Sequence, residues 1–303
     1  MVRCHAMVVG AVMGVFTAGS LMAQNPVDAP TFDWTAVVPA GATLRIADVD
    51  GDIRVTPSST DHVQVHAERT HVRSGGRALV FEVVQSGNDV TICARHPGGR
   101  CDADGEHGGG FRIVQLDRSP AANFTVQVPA GVKLIAKTSD GRVDIKDVGA
   151  DVVAKSGDGA INVAGGSGAV DAHSGDGDIT LDGVKGAVTA HTGDGHIRVT
   201  AGSGPLGLTS GDGDVEVHLA ALGAGQTVKI HTGDGTVTMY LPSSFVGNVD
   251  ASTGDGSVES DFPIAMTGRL NPHHLQGTVG SAAEGAASVN ISTGDGNVRL
   301  KRN

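Results

Sequence analysis

Eight aspartates of this chain could act together if the fold stacks them. Asp140, Asp158, Asp176, Asp194 and Asp212 recur at intervals of 18 residues, and Asp234, Asp255 and Asp295 follow in the same phrase, Ser/Thr-Gly/Ser-Asp-Gly-x-Val/Ile-x. Carboxylates stacked at about 5 Å repel one another unless water or a cation screens them, so calcium is the first chemistry to weigh. The register opposes it. Calcium-binding parallel β rolls use nonapeptide units of the form Gly-Gly-x-Gly-x-Asp-x-apolar-x, and in Gly175-Asp176-Gly177-Asp178-Ile179 the ligand position holds the apolar Ile179. The Asp-Gly pair reads instead as a tight turn, with Gly supplying φ > 0 and the carboxylate accepting backbone N–H groups just ahead of it. A calcium-stabilised repeat protein stays as an alternative.

His173, His191 and His231 each precede Ser/Thr-Gly-Asp, a string that could suggest a hydrolase triad. Adjacent strand residues point to opposite faces, and nothing nearby supplies a strained elbow or an oxyanion hole, so these histidines read as a stacked outer column. Two further outer columns place Asp178, His196 and Asp214 beside Thr180, Arg198 and Glu216. Pectinase-like β-helix enzymes build their sites on such a face, which makes polysaccharide hydrolysis or lysis the rival enzymatic reading. Here the face lacks aromatic sugar platforms, and the even periodicity of its charges suits a ladder that fixes register. The Ser/Thr column (Thr138, Ser156, Ser174, Thr192, Ser210) reads as a polar turn, since the flat two-Thr rows of an ice-binding surface are missing. No catalytic residue, metal site or cofactor is expected.

The elements that must position these residues are short strands. Apolar side chains fall at alternate positions after each corner (Val143 and Ile145, Ile161 and Val163, Ile179 and Leu181) and again before the next (Val152 and Ala154, Val170 and Ala172). A unit this small cannot bury its own apolar face and is stable only when stacked. The fold class is therefore all-β, a parallel β-solenoid of 18-residue coils. Of the 303 residues 46 are Gly and only 3% are aromatic, with none between Val126 and Tyr240, so the core must be thin and aliphatic. The wider later spacings read as loop insertions on an unchanged coil, with an extra degenerate turn at Gly277 to Val279.

An offset of 90 residues relates Val38-Pro-Ala-Gly-Ala-Thr-Leu44 to Val128-Pro-Ala-Gly-Val-Lys-Leu134, and Asp50-Gly51 to Asp140-Gly141. Residues 24–127 are accordingly read as an irregular β region of related repeats that caps a regular solenoid at 128–303. A cap is required because the open end of a solenoid exposes unpaired strands.

Residues 1–23 have the form of a secretory signal peptide, with Arg3 and His5 ahead of an apolar run from Ala6 to Ala18; cleavage after Ala23 is preferred and cleavage after Ser20 also fits. In an exported chain Cys93 and Cys101 are expected to pair as a disulfide; Cys-x7-Cys with His96 and His107 nearby matches no common zinc pattern. A net charge of −11 argues against nucleic acid as a partner. No segment of the mature chain reads as transmembrane.

The Val-Pro-Ala-Gly-x-x-Leu phrase, the Ser/Thr-Gly-Asp-Gly repeats and the leader together resemble the bacterial Toast-rack putative-adhesin family, a domain of unknown function, with a looser likeness to autotransporter-adhesin-like head domains. The resemblance implies the stacked β fold and carries over no catalytic residue. The expectation is a non-enzymatic exported module of the periplasm or cell surface that binds an envelope or surface protein or a glycan. Specificity would lie in the loops 243–248 and 261–287 or in the region 93–111. Self-association through an end strand is a further expectation.

Overall fold

The computed structural model describes residues 22–70, 79–107, 121–266, 271–281 and 285–303. The leader at 1–23 lies outside these residues except for its last two. Among the described residues there is no helix, and the strands form sheets of 14, 12 and 2 strands. Each regular coil gives one short strand to each large sheet, as the alternation requires. Val152–Ser156, Val170–Ser174 and Val188–Thr192 stack in parallel in one, and Val143–Lys146, Ile161–Ala164 and Ile179–Asp182 in the other.

Register follows the repeat, so identical columns meet: Val143, Ile161, Ile179 and Ile197 lie over one another, each at most 1% exposed. Burying each such side chain contributes about 1.5–3 kcal/mol. The 90-residue offset is direct contact, because Thr43–Ala47 pairs with Lys133–Lys137 and Ile53–Pro57 with Val143–Lys146. Strands on both sides of residue 128 thus share the same sheets and one core.

Between the two related coils the chain leaves to build the cap. Ala121–Val128 pairs parallel with Ile53–Pro57 and antiparallel with His62–Thr70, which in turn carries Thr31–Val37. In the other sheet Asp89–Arg95 adds to Thr43–Ala47 and is followed by Val80–Ser86. Phe32, Phe81 and Phe124 fill this end, with ring centroids 5.2 and 6.2 Å apart, and Trp34 is buried beside them. The Cys93–Cys101 disulfide joins the cap strand to Arg100–Asp102 across a Cα separation of 6.1 Å.

The far end corrects the reading of simple loop insertions. After the coil of Thr227–Thr232 and Val237–Leu241, the next coil in space is the last in sequence, Ala287–Thr293 and Val298–Arg302. The earlier Gly247–Thr253 and Val258–Ser260 stack outside it. The corners therefore run Asp234, Asp295, Asp255. Gly277 to Val279 is not a degenerate coil either: His274–Val279 pairs antiparallel with Gly247–Thr253 and with Ile264–Met266. The chain lays down the outer coil, covers its edge with this hairpin and then fills the slot left behind it. Phe245 and Phe262, 5.9 Å apart, close this end of the core.

Candidate functional site

The corners hold the repeated chemistry, and their three residue types divide the work differently from the expected turn. All eight corner aspartates are exposed, and none of their carboxylates accepts a hydrogen bond from a described residue. The Asp-Gly glycines from Gly141 to Gly296 do not have positive φ; among the corner glycines only Gly51 does, at 140°. Their requirement is steric. A Cβ on Gly177 would lie 2.3 Å from the Gly159 carbonyl oxygen, and one on Gly213 would lie 2.0 Å from that of Gly195. Coil-to-coil contact at the corner is backbone on backbone.

The Ser/Thr of the phrase, read as a polar turn, is buried. Thr192, Ser210 and Thr232 are at most 1% exposed. Each hydroxyl donates to a glycine carbonyl of the neighbouring coil: Ser210 Oγ to Gly195 O at 2.9 Å, and Thr232 Oγ1 to Gly213 O at 3.0 Å. The Ser210 oxygen also accepts the Gly213 N–H at 3.1 Å, so one hydroxyl ties its own corner and the one below. Ser210→Ala should cost about 1–3 kcal/mol by orphaning both groups, whereas Ser210→Thr should cost little. Urea unfolding of the two variants checks this; equal costs would sink the two-coil staple.

The outer columns are occupied by structural work. Asp178 Oδ1 accepts the His196 N–H at 2.8 Å, His196 Nδ1 accepts the Asp214 N–H at 2.9 Å, and Asp214 Oδ1 accepts the Thr236 N–H at 2.8 Å. Arg198 lies 2.9 Å from Glu216, which His218 meets at 2.7 Å while stacking on Tyr240 at 4.0 Å. The His218 hydrogen bond, aided by Arg198, holds the Glu216 carboxyl below its ordinary value. The His173 and His191 rings lie 5.9 Å apart, tilted by 50°, with Asp171 2.6 Å from His173. His231 meets Ser292 Oγ at 2.9 Å. Among the described residues no group of three or more His, Cys, Asp or Glu converges as a metal would require.

A family model described as Toastrack DUF4097 matches residues 42–301, which takes in the stacked coils and most of the cap. The chain belongs to the Toastrack family. Two solved structures match this chain at low likeness. A putative cell adhesion protein from Clostridium sporogenes is 14% identical, with a TM-score of 0.31 over 90% of this chain and 100% of its own. A putative adhesin from Bacteroides fragilis is 11% identical, with a TM-score of 0.42 over 89% and 96%. No curated protein matches. Among the described residues of this Toastrack chain, no helix is long and apolar enough to cross a membrane.

One titratable group of the Toastrack coil is out of place. Asp48, beside the first corner, is 6% exposed; its Oδ1 accepts the Val49 N–H at 2.9 Å, while Oδ2 has no hydrogen-bond partner among the described residues. Burial, opposed by the Val49 bond and reinforced by the charges of Asp50 and Asp52, raises its pKa well above the ordinary carboxylate value of 3.8. The folded chain keeps this proton to higher pH than the unfolded chain. Stability should therefore fall as pH rises from the ordinary value through the raised one. Asp48→Asn, which retains an acceptor for Val49, should flatten that decline and raise stability at pH 7. Denaturant midpoints between pH 4 and 8 test it, and an unchanged pH profile would count against Asp48 as the source.

Proposed function

We propose that this chain is an exported, non-enzymatic β-solenoid that serves as an adhesin-like or cell-envelope interaction module, making multivalent contact through repeated outer columns. The observation that carries this reading is the engagement of those columns with neighbouring coils. Asp178, His196 and Asp214 accept backbone N–H groups one coil away, and Asp144 and Asp182 meet Asn162 and Thr200 across coils at 2.8 and 2.7 Å. Side chains committed in this way support an ordered polar surface, and they are poorly placed to act as free acids or bases.

Glycan cleavage gains no support from Glu216, because a glycosidase acid needs its proton held to higher pH and this carboxyl is pushed the other way. Calcium gains none from the corner carboxylates, which face solvent; millimolar calcium should leave the thermal midpoint unmoved. The Cys93–Cys101 bond supports export to an oxidising compartment. The partner class is an envelope or surface protein or a glycan, and a second copy of the chain is a further candidate.

The experiment is affinity capture with residues 24–303 from envelope extract, followed by mass spectrometry. A retained, saturable envelope component supports the module. New reducing ends released from a polysaccharide panel by the purified protein would overturn it.

A further inference from the structure

We propose that the outer face of the 14-stranded sheet, near its carboxy-terminal end, carries a binding site for a neutral saccharide centred on Asn248. The proposal deepens the interaction-module reading and rests on it. In the regular coils the strands of this sheet are five residues long and present two outward side chains, as in Val152–Ser156. In the last two coils they lengthen to seven residues, Gly247–Thr253 and Ala287–Thr293, and the hairpin strand His274–Val279 lies alongside. The extra length adds an outward row, continued by Thr227 in the coil that pairs with Ala287–Thr293, that the five-residue strands such as Val152–Ser156 lack.

Strand register then sets out a grid of six polar side chains: Thr278, Asn248 and Ser288 in one row and Gln276, Asp250 and Asn290 in the next. They line a half-open cleft of about 320 Å³, with Val249 and Gly277 between the rows. That volume is at the lower end for small-molecule sites.

The chemistry of the lining selects the ligand class. Asp250 is the only charged residue in it, and both its oxygens are engaged, Oδ1 with His274 at 2.9 Å and Oδ2 with Gln276 at 3.2 Å. A divalent cation would need several free oxygen ligands, and a phosphate or carboxylate would need Lys or Arg in the lining. What remains is neutral hydrogen-bonding capacity. Asn248 and Thr278 make no side-chain hydrogen bond to a described residue, and Asn290 donates one N–H to Ser288 Oγ at 3.2 Å while its Oδ1 accepts from no described residue. A side-chain amide offers a donor and an acceptor in one plane, which matches adjacent sugar hydroxyls that both donate and accept.

The test is an array of neutral and acidic oligosaccharides probed with residues 24–303, followed by titration calorimetry on the hits. We expect weak binding of neutral oligosaccharides that changes little with salt. The Asn248→Ala/Asn290→Ala double variant should weaken it at least about tenfold, the loss of roughly one good hydrogen-bonding pair. Its unfolding midpoint should stay near that of the parent, and Thr189→Ala, on the same face several coils away, should bind normally. Failure of every neutral oligosaccharide, retention of binding in the double variant, or binding of acidic glycans alone overturns the proposal. The two readings fail separately: a blank array with a captured envelope protein removes only the saccharide site. Hits that are shortened during incubation remove the non-enzymatic reading while keeping the site.

Discussion

Gly195→Ala should destabilise the solenoid by about 3 kcal/mol, near the top of what one added methyl does to a packed interior. Its Cβ would fall 2.3 Å from the Gly177 carbonyl oxygen and 2.5 Å from the carbonyl carbon, and these atoms belong to backbone held by the next coil. No side-chain rotation relieves the contact, so the corners must part. Parting them stretches the Thr192 hydroxyl bond to Gly177 O, now 2.9 Å, and its counterpart from Ser210 to Gly195 O. Gly225→Ala is the control, since Gly225 has φ of 75° but nothing within 4 Å of a new Cβ. Backbone strain alone should cost it about 1–2 kcal/mol. Urea unfolding decides: equal costs at the two sites would mean that close approach is not what the corner glycines provide.

An 18-residue period combined with alternation determines the coil, because a one-residue slip would set Ile179 and Leu181 against polar columns. The same alternation points Ser174 and Thr192 inward, one residue after the outward His173 and His191. They still read as surface, because a buried hydroxyl is unfavourable unless satisfied, and its acceptor belongs to another coil. The corner glycines read as φ > 0 positions for a related reason: their crowding is created by the neighbour. Stacking order is harder again. Spacings of 22, 21 and 40 residues suit a sequential coil as well as the observed order of Asp234, Asp295 and Asp255, and only long-range pairing separates them. The Asn248 grid draws on three segments distant in sequence, so no local motif announces it.

Phe81→Ala should cost about 3–5 kcal/mol, more than truncation of any single aliphatic residue in the coils. The absence of aromatic residues between Val126 and Tyr240 reflects the narrow gap between the two sheets, where Val, Ile, Leu and Ala suffice. At the cap the stacking ends and a larger space must be filled. Phe81 is fully buried there, 5.2 Å from Phe32 and 6.2 Å from Phe124. It also covers Arg69, whose guanidinium carbon lies 5.6 Å from the ring centroid and whose Nε has no hydrogen-bond partner among the described residues. Removing the ring thus leaves a cavity and uncovers a buried cation that, among the described residues, is paired with Asp28 at 2.8 Å. Phe81→Leu should recover more than half of the loss, because it refills volume without restoring the ring face. Calorimetric or urea unfolding of both variants is the check. A loss below about 1.5 kcal/mol for Phe81→Ala would mean that the cap collapses freely around the gap. The pairing of Thr31–Val37 and Val80–Ser86 with the sheets, rather than their aromatic filling, would then be what closes this end of the solenoid.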